Sequence, residues 1–111
     1  MTQMRTDQET LERALCECAR FYAEPQNYQT MTIFDREGGH YLLLDQGWDG
    51  FKRIHRTWVH VDLVEDKFWV QQDETQDGIA VQLMAAGVRK ERIVLAFQHP
   101  SRRQYGEFAA A

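Results

Sequence analysis

From Tyr28 to Asp73 the apolar residues recur with a period near two. The run is broken at Arg36-Glu37-Gly38-Gly39, at Gly47 and Gly50 around Trp48-Asp49, and at Glu65-Asp66. Strands joined by reversals this short lie side by side and antiparallel, because parallel neighbours need a crossover of roughly a dozen residues or more. If Asp35 opposes His40, Ile33 faces Leu42 and Met31 faces Leu44 on one side, while Phe34 meets Tyr41 on the other. A third strand, about 52 to 64, and a fourth, about 67 to 73, pair in the same way from Val64 and Lys67. That register sets Leu63 against Phe68 and Val61 against Val70. It leaves Trp58 near Asp73, His60 near Gln71 and Asp62 near Trp69 on the reverse face.

Helical spacing brackets this β segment. Leu11, Ala14, Leu15, Cys18, Phe21 and Tyr22 form one stripe over about 6 to 24, with Asp7, Glu9 and Glu12 near its start and Pro25 as its stop. A second helix is expected over about 76 to 86, capped by Thr75 or Asp77 and ended by Gly87, with Val88 at the apolar contact of a Schellman motif. The apolar run Ile93 to Phe97 suits a last strand covered on both faces. At 111 residues the chain is long enough for one core and too short for two. The expected fold is α+β: a single domain over 1–111, a mainly antiparallel sheet of about five strands with two α-helices, in the order α-β-β-β-β-α-β.

Charge and cysteine usage narrow the function. With 17 acidic and 13 basic residues the net charge is −4, so any contact with nucleic acid has to be local. The basic groups Lys52-Arg53 with Arg56, Arg89-Lys90 with Arg92, and Arg102-Arg103 read more simply as solvated surface than as a phosphate-binding groove. Cys16 and Cys18 point about 200° apart on a helix, cannot bridge each other, and suit a reducing, cytoplasmic setting. The polar N-terminal stretch lacks an export signal, and no run is long enough to span a bilayer.

None of the motifs that could carry chemistry is complete. Gly47-x-x-Gly50 leads into a strand, whereas a phosphate loop opens a helix whose free amides face the ligand, so it is read as a strand corner. Asp62 with Glu65-x-Lys67 resembles the acid, acid-x-lysine spacing of metal-dependent nucleases, but Glu65 and Asp66 read as a hairpin tip. His60 and Asp62 share one strand face, as residues two apart do, without an evident nucleophile or oxyanion donor beside them. His40 and His55 read as loop or strand surface and His99-Pro100 as a turn. The four histidines lack regular metal-ligand spacing. The expectation is therefore no catalytic residue, no metal and no cofactor.

An aromatic surplus remains. Trp58, Trp69, Phe34 and Tyr41 are placed on the sheet face opposite Ile33, Leu42, Val61 and Val70, so two faces want cover and two modest helices are available. Either one helix covers each face, or part of the surface docks another subunit. The residues expected to meet a partner are Trp48, Trp58, Trp69, Arg102, Arg103 and Tyr105, of the types that dominate such contacts.

A family resemblance runs along nearly the whole chain from Phe21. It is carried by Thr32-Ile33-Phe34-Asp35, Gly47-Trp48-x-Gly50, Arg53-Ile54-His55, His60-Val61-Asp62, and Trp69-Val70-Gln71 before Asp73 and Thr75. Gly78-Ile79-Ala80, Ala86-Gly87-Val88, Ile93 to Phe97 and Arg103-x-Tyr105-x-x-Phe108-Ala109 complete it. In their joint order these resemble the XisI family, the fdxN element excision controlling factors. The chain departs from that pattern at Arg89 in place of a proline, Arg92 in place of an acid and Glu74 in place of a glycine. The resemblance implies an accessory role in programmed DNA excision of cyanobacterial type. It also implies a companion, an XisH-like protein of nuclease type, met through a non-enzymatic interaction surface; self-association is possible, and contact with DNA would be indirect. Direct DNA binding and metal-dependent nuclease activity are the alternative readings.

Overall fold

The computed structural model describes residues 3–21 and 28–111. Helix α1 (Gln3–Phe21) precedes four strands, β1 (Tyr28–Asp35), β2 (His40–Asp49), β3 (Lys52–Val64) and β4 (Lys67–Asp73). Helix α2 (Ile79–Ala85), a 3-10 turn, β5 (Ile93–Leu95) and the short α3 (Pro100–Arg103) follow. The order α-β-β-β-β-α-β holds, with α3 added after it. Tyr22 and the expected stop at Pro25 lie outside the described residues.

The strands form one sheet in chain order. Neighbours are antiparallel from β1 to β4, and β5 lies parallel to β4. The parallel pair follows from the connection, because α2 supplies the crossover that a tight turn cannot. The expected registers from Asp35 with His40 and from Val64 with Lys67 are both present. The hairpin between β1 and β2 depends on Gly39: its φ is +79°, and a Cβ there would lie 2.6 Å from the Leu63 carbonyl oxygen. The corner after β2 sits two residues later than the sequence suggests. Trp48 and Asp49 remain in the strand, paired with Arg53 and Lys52, and the chain reverses at Gly50-Phe51.

Two register shifts determine which residues face inward. Between Leu43 and Leu44 the ladder to β3 skips Trp58, and between His60 and Val61 the ladder to β4 skips Gln71. Each extra residue twists its strand and returns the later side chains to a common face. The consequence corrects the expected faces: Tyr41 opposes Val61 and Leu43 opposes Val59, so Phe34 and Tyr41 share a face with Val61 and Val70. Trp58 is displaced by its bulge into the core, where it is 6% exposed, and is parted from Trp69. Val59, not Trp58, opposes Asp73, and His60 opposes Gln72, not Gln71.

Both helices pack on this one face. Leu11, Ala14, Leu15 and Cys18 of α1 and Ile79, Ala80 and Leu83 of α2 join Tyr41, Leu43, Val59, Val61, Phe68, Val70 and Ile93 in a continuous core. The arrangement with one helix on each face does not occur. Asp7 sits in the second turn of α1, buried, and ion-pairs with Arg92, whose guanidinium also lies 5.5 Å from the Phe68 ring centre.

Helix α2 is shorter at its start than expected. Neither Thr75 nor Asp77 caps it directly: the Ile79 amide donates to Asp73 Oδ2 at 2.7 Å, while Thr75 Oγ1 accepts from the Gly78 amide at 3.0 Å. Its end is as expected. Gly87 has φ +100°, its amide donates to the Met84 carbonyl, and the Val88 amide donates to the Leu83 carbonyl. Those two bonds are the Schellman pair, and Val88 is buried as the motif requires.

Candidate functional site

With both helices on one side, the other face of the sheet carries Met31 and Ile33 from β1 and His40, Leu42, Leu44, Gln46 and Trp48 from β2. From β3 it carries Arg53, His55, Thr57, His60 and Asp62, and from β4 Trp69. Alternation puts them there, Leu42 and Leu44 flanking buried Leu43, and His60 and Asp62 flanking buried Val61, with the rest continuing the same row across the paired strands. Ile33 is 39% exposed and Trp48 52%, while Leu42 and Leu44 are half-buried by their neighbours alone. This is an open, partly apolar face with a polar cluster where β2 begins and β3 nears its end.

In that cluster, Asp62 Oδ1 accepts from His40 Nδ1 at 2.8 Å and from His60 Nε2 at 2.7 Å. Gln71 Nε2 donates to the other carboxylate oxygen at 3.3 Å. The backbone dictates the meeting, because His40 and Asp62 are opposed residues of β2 and β3 and His60 is two residues back along β3. Burial pushes the Asp62 carboxyl up, but the hydrogen bonds and charges of the two imidazoles outweigh it and hold it below the usual carboxylate range. The same bond to Asp62 raises His40 above its ordinary value. Sequence spacing places His60 with Asp62 and misses His40, which joins them only through the shifted register.

The residues expected to meet a partner are not gathered at one spot. Trp48 stands at the far end of β2, with the Arg53 guanidinium 5.3 Å over its ring. Trp69 lies beneath Arg103, whose guanidinium is 5.7 Å from the ring centre and also donates to the carbonyls of Gln98 and Ala110. Arg102 and Tyr105 are exposed, Tyr105 at 84%, on the segment beside the β5 edge, where Ala109 bridges to Val94. Trp58 belongs to the core and offers no outer surface.

The basic groups are largely engaged within the chain. Arg56 pairs with Glu74 at 2.9 Å, Arg89 with Glu91 at 3.6 Å, and Arg92 with Asp7. Glu65 occupies the two-residue tip between β3 and β4 with φ +58°, so it does not project from a strand alongside Lys67, which donates to the Ala111 carbonyl. A cavity of about 470 Å³ lies on the helical side, lined by Thr10, Arg13, Glu17, Phe21, Gln82 and Ala86. It brings no imidazole and carboxylate together. No helix among the described residues is long and apolar enough to cross a membrane.

The comparisons with known proteins agree with one another. The family model described as XisI protein matches residues 1–110. A XisI-like protein from Anabaena variabilis ATCC 29413 is 34% identical in sequence and superposes with a TM-score of 0.90, over 97% of this chain and 99% of its own. A fdxN element excision controlling factor XisI from the same organism is 29% identical, with a TM-score of 0.82 over 99% of this chain and 100% of its own. No curated protein matches the chain. By the extent of the family match, and by sequence and fold together, the chain belongs to the XisI family.

Proposed function

We propose that this chain is an accessory factor controlling the excision of DNA elements, acting through a protein-interaction surface and not through covalent chemistry of its own. The structural relative named as an excision controlling factor supports the process. The observation that carries the interaction reading is the open sheet face. Both helices lie behind it, and Ile33, Leu42, Leu44 and Trp48 sit on its outer side without a covering layer among the described residues. Apolar and aromatic side chains held on a rigid sheet are what a docking surface requires. The internal pairing of Arg56, Arg89 and Arg92 weighs against a phosphate-binding groove.

The partner in this reading is an XisH-like protein of nuclease type, with Trp48, Trp69, Arg102, Arg103 and Tyr105 as contact residues and self-association as a further mode. Co-expression followed by size exclusion tests it. The two proteins should elute together at micromolar concentration, and Trp48→Ala should weaken the complex by roughly 2 kcal/mol, about thirtyfold in Kd. Separate elution of the wild-type pair would sink the proposal.

A further inference from the structure

We infer that His40, His60 and Asp62 form a binding site for a divalent transition-metal ion of the zinc class. His40 Nδ1, His60 Nε2 and a carboxylate oxygen of Asp62 all lie within 4.8 Å of one another. Two imidazole nitrogens and one carboxylate oxygen are a donor set that suits zinc, nickel, cobalt or copper, and one that calcium and magnesium, which prefer all-oxygen ligands, do not select.

The scaffold is prepared for this. The three residues project from adjacent positions of two paired strands in the middle of a five-stranded sheet, so their Cα positions are fixed by the backbone ladder. Both imidazoles already aim a ring nitrogen at the same carboxylate oxygen. Around zinc, with ligand bonds of about 2.0–2.1 Å, tetrahedral ligand atoms stand roughly 3.3 Å apart. The present 2.7 and 2.8 Å contacts would open by about half an ångström as the ion replaces the two shared protons. Each neutral imidazole then carries its single proton on the other ring nitrogen, moved there by a tautomer shift from the nitrogen that takes the ion, and Gln71 on the second Asp62 oxygen orients the carboxylate as hydrogen-bonded neighbours of metal ligands do.

Three protein ligands leave at least one coordination position for water or another donor. His40 has 55% of its side chain exposed, so the ion enters from the open face of the sheet. The affinity should fall below that of a closed four-ligand zinc site, since two existing hydrogen bonds are displaced and the fourth protein ligand is missing.

The test is a titration of zinc chloride into tag-free, metal-stripped full-length protein by calorimetry, repeated with cobalt(II) followed by its visible absorption. One equivalent should bind, with cobalt giving the intense spectrum of a low-coordinate nitrogen-oxygen site. Asp62→Asn, His60→Gln and His40→Gln should each weaken zinc at least tenfold, while His55→Gln and His99→Gln leave it unchanged. Far-UV circular dichroism of every variant establishes that the fold is retained. Absence of zinc binding at 100 µM, or undiminished binding in folded Asp62→Asn and His60→Gln, would overturn the assignment. The readout needs no partner protein, so its outcome is separate from that of the co-elution experiment.

Discussion

The two faces of the sheet are built from alternate residues of the same strands and live in different solvents. Tyr41, Leu43, Val59, Val61 and Val70 are wholly buried under two helices, while their neighbours Leu42, Leu44, His60 and Asp62 face outward. Along β2 the run Tyr41-Leu42-Leu43-Leu44 is apolar throughout, so hydropathy alone does not separate the two rows. The difference teaches that an outward leucine in this sheet is not stabilising the core.

The largest test of that contrast is truncation on each side. Leu43→Ala should cost about 3 kcal/mol in urea unfolding, because it removes a fully packed side chain and leaves a cavity. Leu42→Ala, on the outer row, should cost roughly 1 kcal/mol or less. Equal losses would break the distinction between the faces.

A smaller effect is expected at the rim of the covered side. Asp7 is 2% exposed and its partner Arg92 is only partly so. Arg92→Ala leaves a buried carboxylate unpaired and should destabilise by about 2 kcal/mol, below the 3–5 kcal/mol of fully enclosed pairs. The double variant Asp7→Leu with Arg92→Met should recover most of that loss. A double variant no better than the single would show that the pair contributes more than mutual neutralisation.

The smallest effect belongs to the outer face and is set by pH. His40 is raised above 6.5, so its contribution is whole below pH 6.5 and is lost as pH rises through the raised folded value. Asp62 is lowered below 3.8, so its contribution is whole above that value and is lost as pH falls through the depressed folded one. Both are present together between about pH 4 and 6.5. Thermal unfolding of the metal-free protein should show a modest fall in Tm from pH 5.5 to 9, reduced in Asp62→Asn. An unchanged fall in that variant would assign the pH response to other groups.

Much of the fold is legible in the residues, because the turns at Gly38-Gly39 and Glu65-Asp66 each fix a register by themselves. The two register shifts are not local. Counting inward from the Asp49–Lys52 pair without a shift would set His40 against Val61 and turn Val59 and Val61 to the outer row. The β3 to β4 hairpin demands the opposite. One extra residue at Trp58 reconciles the two, and the conflict between hairpins is the signal that could have located it. The same extra residue brings His40 to Asp62, which is why the cluster is hidden from spacing rules. Likewise, placing both helices behind the sheet depends on packing between distant segments, and helical periodicity carries no information about which face receives them.

Asp73 closes β4 and, six residues later in the chain, holds the first amide of α2, while Thr75 donates to the same carboxylate at 2.5 Å. One carboxylate thus rivets the sheet layer to the helical layer at the point where the chain passes between them. Load applied to the outer side of β4 would be felt in α2, so anything seated on the bare face is mechanically connected to the helices behind it.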